Sequence, residues 1–165
     1  MGYGFNAGEV FEVAIQIEEN GRKFYEESQK LIESVQVKAL FADLAQQEIE
    51  HKKKFETLRA QLPPESTVAT VWDPDNELDL YIKVMAENNV FISSAGVKSR
   101  IDQLRGAEDA LRMAIEFEKD SVLFFLSFEE AVLGEKDREL IKSLVKEEQE
   151  HLRRLTFQLR ETSKK

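Results

Sequence analysis

At 165 residues the chain is long enough for one domain with a real hydrophobic core and no need of disulfide staples. It has no cysteine, which excludes disulfides, thiolate nucleophiles, Cys-ligated zinc, iron–sulfur clusters and a rubredoxin-type iron site, so any metal must be held by nitrogen and oxygen. With 23 Lys+Arg against 32 Asp+Glu the formal charge is −9, which suits cations and leaves no electrostatic footprint for nucleic acid or an anionic membrane.

No apolar run approaches the roughly 18 residues of a membrane span. The N-terminal MGYGFNAGEV lacks the basic and apolar regions of an export leader, so a cytoplasmic protein is expected. Seven glycines and three prolines punctuate a pattern of apolar residues spaced by three and four, which predicts an all-α chain. Asn6 with Glu9 forms a capping-box pattern opening a first helix that runs to about Glu33. Ser34 caps a second, which Pro63-Pro64 stops near Leu62. Asp73-Pro74 reads as an N-cap with proline at the first helical position, beginning a crossover segment, and NNVFISSAGVKSR (88–100) reads as irregular. A third helix begins near 99 or 106 and ends near 133, where Gly134 is expected as its C-cap; a fourth spans about Lys136 to Arg160. The chain thus reads as one domain over 1–165, with a hairpin at 6–62, a crossover at 63–105 and a second hairpin at 106–161. That is a four-helix bundle with one long crossover.

The two hairpins repeat each other at an offset of 100 residues: AIQIEENGRKFY (14–25) aligns with AIEFEKDSVLFF (114–125), and LAQQEIEH (44–51) with LVKEEQEH (144–151). Both histidines of the chain occupy one repeat position. The positions expected to face the bundle interior are apolar except for Glu18, Glu48, His51, Glu118 and Glu148, His151 and a few small or hydroxylated residues. Four unpaired carboxylates there, with no Lys or Arg on the same stripes, would unfold a domain of about 5–15 kcal/mol net stability. Two divalent metals supply four positive charges against the four glutamates, so a dimetal site is expected at Glu18, Glu48, His51, Glu118, Glu148 and His151. Glu48 and His51 share a helix face, as do Glu148 and His151, whereas Glu50 lies roughly 200° round from Glu48 and is expected in solvent. Glu19 and Glu147 fall off the stripe. Tyr25 is a candidate hydrogen-bond donor beside the site. Lys52-Lys53-Lys54 and Arg153-Arg154 read as solvated faces flanking it, and Phe24, Phe124, Phe125 and Phe128 as plain core. Carboxylate-rich ligation suits iron or manganese, and zinc is a possible substitute in a purified sample.

At these residues the chain resembles the rubrerythrin-like branch of the ferritin-like superfamily over nearly its whole length. The resemblance implies a ferritin-like fold and two iron ions, bridged by Glu48 and Glu148, with Glu18 and Glu118 as terminal ligands and one iron each on His51 and His151. The family's glutamate followed seven residues on by an aromatic is met by Glu18/Tyr25 and Glu118/Phe125. Rubrerythrins proper carry a further glutamate three residues after the ligand of the third helix, where this chain has Ser121, and a C-terminal rubredoxin module, for which it lacks the cysteines.

The function expected on this resemblance is reduction of hydrogen peroxide to water, with electrons from a separate protein such as a rubredoxin. The runner-up is a ferroxidase that oxidises Fe(II) with dioxygen or peroxide, which the Ser121 departure favours. A metal-free helical interaction module, in which the buried polar residues only set pairing register, is the third reading; six such residues are too many for that role. A homodimer is expected from the resemblance and from the prevalence of symmetric oligomers.

Overall fold

The computed structural model describes residues 7–62, 77, 80, 81, 84, 94–131 and 134–164. Among them five α-helices are assigned: α1 (Ala7–Ser28), α2 (Val35–Ala60), α3 (Ser94–Ile101), α4 (Ala107–Ala131) and α5 (Glu135–Thr162). Helix α1 packs chiefly on α2 and α4 on α5, and the hairpins meet through α1 against α4 and α2 against α5. The four long helices enclose one apolar interior, with the aromatic residues interlocked across it. Phe11 meets Phe128 edge to face at 5.0 Å between ring centres, and Phe55 meets Phe125 at 5.0 Å. Phe24, Phe124, Phe125 and Phe128 are all buried in this core.

The turns depart from the sequence expectation in three places. Helix α1 ends at Ser28, not Glu33; a 3-10 turn over Gln29–Leu31 follows, and Ile32 is extended (φ −105, ψ 131) and buried. Pulling Ile32 into the core breaks the helical register and frees Ser34 to open α2, its hydroxyl accepting from the Val37 N–H at 3.4 Å. Helix α2 closes at Ala60 through tightened bonds from the N–H groups of Gln61 and Leu62 to the carbonyls of Leu58 and Arg59.

The second departure is α3, an eight-residue helix inside the segment read as irregular. It lies against α1 and buries Val97 and Ile101, one turn apart. Gly96 and two β-branched residues give it little intrinsic propensity, so packing makes it helical. It ends before Gly106, whose φ of 132 is open to glycine and strained for other residues, and α4 starts afresh at Ala107.

The third is Gly134, which is the N-cap of α5 and not the C-cap of α4. Its φ of −75 and ψ of 123 are extended, and Glu135 and Asp137 place negative charge in the first turn, where the helix dipole favours it. The caps expected at Asn6 and at Asp73-Pro74 lie outside the described residues.

Candidate metal centre

Midway along the bundle the apolar interior is interrupted by one polar layer. The four long helices bring Glu18 from α1, Glu48 and His51 from α2, Glu118 from α4 and Glu148 and His151 from α5 to that layer, each at most 1% exposed. The i, i+3 spacing on α2 and α5 puts a carboxylate and an imidazole of one helix on the same inward face. Glu50 and Glu150 face solvent, and Glu150 is ion-paired with Arg153.

Two groups of potential ligands result, Glu18, Glu48, His51 and Glu148 in one and Glu48, Glu118, Glu148 and His151 in the other, and within each the ligand atoms lie within 4.8 Å of one another. Glu48 and Glu148 belong to both. Glu148 lies between the imidazoles, 2.6 Å from His51 Nδ1 and 3.2 Å from His151 Nδ1, and the two rings stack at 5.4 Å.

The chemistry of this layer is that of a metal cage. Both oxygens of Glu18 and Glu48 and the Oε2 of Glu118 are buried without a hydrogen-bond partner in the protein, and Glu148 and the Nδ1 of each histidine have only one another to satisfy them. Leaving such groups unsatisfied costs about 1–3 kcal/mol each, more when charged. The histidine tautomers agree. His51 Nε2 is 2.9 Å from Glu147 Oε2, which can only accept, so that nitrogen carries the proton. His151 Nε2 donates to Gln47 Oε1 at 2.9 Å, while Gln47 Nε2 donates outward to Asp43 at 2.8 Å. In both rings Nδ1 is left facing the carboxylates, and on giving up the proton it shares with Glu148 it would present a lone pair to a metal. Four carboxylates and two imidazoles form a cluster compatible with two metal ions.

The metal-free electrostatics show the strain of this arrangement. Burial, and next the charge on Glu148, push Glu18, Glu48 and Glu118 well above the usual carboxylate range. Burial acts on Glu148 in the same sense, but hydrogen bonds from His151 and His51 outweigh it and hold Glu148 well below that range. Burial opposes a charged His51, yet its bond to Glu148 and the surrounding carboxylates raise it to about 9. His151 is raised further still against the same opposition, chiefly by the charge on Glu118. The metal-free protein thus fills with protons the place that cations would take.

Tyr25 reaches this layer, its hydroxyl donating a short hydrogen bond to Glu118 Oε1. Burial, then the Glu118 charge, raises its pKa, so the phenol keeps its proton and acts as a donor. Three further residues contribute: Glu147, set aside in the sequence as off the stripe, Lys54, read there as part of a solvated face, and Gln47, which went unread. Glu147, Gln47 and Lys54 form the outer contacts of the histidines, with Lys54 Nζ on Glu147 at 3.0 Å. Lys54 is therefore more than a solvated charge. Gln47 and Glu147 occupy equivalent repeat positions, a signal that identity matching passes over because the residues differ. Their contacts also cross between hairpins, which helical spacing within one chain segment does not reveal.

No curated protein matches the chain by sequence. Among solved structures, a protein from Thermotoga maritima described as ferritin-like and diiron-carboxylate superposes with a TM-score of 0.67 at 22% identity, covering 98% of this chain and 99% of that one. This likeness shows the fold: the bundle is ferritin-like. The Rubrerythrin family model matches residues 9–159, and on that match the chain belongs to the rubrerythrin family.

Proposed function

We propose that the chain is a non-haem diiron oxidoreductase that reduces hydrogen peroxide to water with electrons from a separate donor protein. The observation that carries this reading is the set of buried carboxylates and imidazoles, most of their inward atoms without a partner outside the set, divided into two groups that share Glu48 and Glu148. Glu18, Glu48, His51 and Glu148 would hold one iron and Glu48, Glu118, Glu148 and His151 the other. An iron pair held there would supply the two electrons that, with two protons, convert one hydrogen peroxide to two molecules of water. Phe41 and Phe55 on α2 and Phe125 on α4, all buried and within two turns of the ligand residues on their own helices, would help keep bulk water from the pair. Tyr25 orients Glu118 through its hydroxyl. Electrons would come from outside, since the chain has no cysteine with which to build a rubredoxin-type relay.

A second reading, oxidation of Fe(II) by dioxygen with iron passed on, draws on Ser121. Its hydroxyl is buried and partnerless three residues after Glu118, where rubrerythrins proper carry an additional glutamate. One experiment separates the two. The metal-free protein is loaded anaerobically with two Fe(II) per chain, then mixed rapidly with hydrogen peroxide or dioxygen while the near-ultraviolet absorption of ferric iron is followed. Faster oxidation by peroxide, with iron retained and reducible for further cycles, is the expected result. Comparable reaction with dioxygen and loss of iron would establish the ferroxidase reading instead, and absence of iron uptake would overturn both.

A further inference from the structure

The six inward residues obey the two-fold repeat, but the groups behind them break it. Position 47 and its repeat mate 147 each reach across the bundle to the histidine of the other hairpin. His51 Nε2 meets a carboxylate, Glu147, at 2.9 Å, whereas His151 Nε2 meets the amide oxygen of Gln47 at the same 2.9 Å. The charges behind them are also ordered differently. Glu147 is followed directly by Lys54, at 3.0 Å. Behind Gln47 comes Asp43, which accepts from Gln47 Nε2 at 2.8 Å and from Arg154 at 2.7 Å. A carboxylate therefore touches His51, while the corresponding charge stands one residue further from His151. A carboxylate on the distal N–H of an imidazole makes the other ring nitrogen a better donor than a neutral amide does.

The second break is at Tyr25. Its hydroxyl engages Glu118 Oε1 and withdraws part of that carboxylate's donor capacity. The repeat mate is Phe125, which has no hydroxyl, and both oxygens of Glu18 are free of hydrogen-bond donors. Glu48 and Glu148 are common to both positions and cancel in the comparison. Both differences run the same way, leaving the donor set at Glu118 and His151 poorer than the set at Glu18 and His51.

We infer that the two metal positions are unequal, the one at Glu18 and His51 filling first and emptying last, with Glu147 and Gln47 as the positioning residues that set the difference. The inference rests on the dimetal reading proposed above. Outer partners of metal-bound histidines typically change affinity by about 10–100-fold, which sets the expected scale.

The test is a titration of the full-length metal-free protein with Zn(II) in competition with a chromophoric chelator, resolving two successive binding constants. Filling one position neutralises charge on the shared Glu48 and Glu148 and would separate the two steps even in a symmetric site, so the variants carry the decision. Glu147→Gln is expected to weaken the first step about tenfold or more. Gln47→Glu is expected to strengthen the second by a similar factor, a gain that a merely structural role would not produce. If Glu147→Gln loses its helical circular dichroism, Gln47→Glu decides alone. Constants unchanged in both variants overturn the inference and leave two-metal binding standing, as does a shift of the same step by both. Failure of the unaltered protein to take up Zn(II) overturns the dimetal reading and this inference with it.

Discussion

Glu148 stands 2.6 Å and 3.2 Å from the inward nitrogens of the two histidines, whereas Glu18 approaches only His51, at 3.6 Å. That difference predicts different outcomes for removing each carboxylate. Glu148→Leu deletes a group common to both positions and is expected to leave essentially no bound metal. Glu18→Ala strips one position and is expected to leave about one ion per chain, both by elemental analysis after reconstitution with Mn(II). The same variants bear on the metal-free interaction module. If the buried polar residues only set register, Glu148→Leu should raise the melting temperature, because replacing buried charge by a packed apolar side chain is often stabilising. A lower melting temperature accompanied by loss of metal would exclude that module. Away from the interior, Glu19 bonds Arg22 at 2.6 Å and Lys52 at 3.0 Å, and these bonds, that to Arg22 foremost, lower it to about 2. A lowered carboxylate contributes stability that is present above its unfolded value, near 4.5, and is lost as pH falls through about 2. Glu19→Gln is therefore expected to cost about 1 kcal/mol at neutral pH, allowing for partial exposure, and nothing near pH 2, as measured by urea unfolding across that range.

At the level of single elements, the close approach of α1 and α4 depends on Gly21. A Cβ added there would lie 2.7 Å from Cζ of Phe117, a buried ring, and 3.4 Å from the Glu48 carboxyl carbon. Gly21→Ala gains about 1 kcal/mol of helix propensity, but overpacking of this kind costs about 1–3 kcal/mol. The expected outcome is a protein destabilised by about 1 kcal/mol in denaturant unfolding, the Phe117 ring being the group that must give way. The four long helices were legible in the sequence because an apolar stripe sustained over many turns fits the buried face of a helix and little else. The interior residues Glu18, Glu48, His51, Glu118, Glu148 and His151 were legible for the same reason, as interruptions of that stripe. The short α3 was not, since Val97 and Ile101 make only one turn of pattern and their burial depends on α1. Gly134 was misassigned because a glycine between two helices serves either end. The choice is made by its extended backbone and the acidic first turn of α5.

Across the whole molecule the hairpins are near-copies, and the repeat identifies the inward residues twice over. It could not reveal which polar groups touch across the bundle. His51 with Glu147 and His151 with Gln47 are contacts between hairpins about a hundred residues apart, set by how α2 lies on α5. The interior these contacts enclose couples stability to both metal and pH. In the metal-free protein Glu18, Glu48 and Glu118 are raised above their ordinary values, so the folded state holds protons that the unfolded chain releases above about pH 4.5. His51, raised to about 9, acts in the same sense: its contribution is full below its ordinary value of 6.5 and is lost as pH rises through about 9. Glu148, held low, is ionised in both states over that interval and adds no slope. The metal-free protein should therefore lose stability steadily between pH 5 and 9. Metal binding runs the other way, because ions compete with those protons and bind more tightly as pH rises. Metal at a thousandfold excess over its dissociation constant adds about 4 kcal/mol, or about 10 °C for a chain of this length. The gap in melting temperature between loaded and chelator-stripped protein is thus expected to widen from a few degrees at pH 5.5 to about 10 °C or more at pH 8, by scanning calorimetry. A gap that stays constant or narrows with pH would mean that the buried carboxylates and imidazoles do not exchange protons for metal.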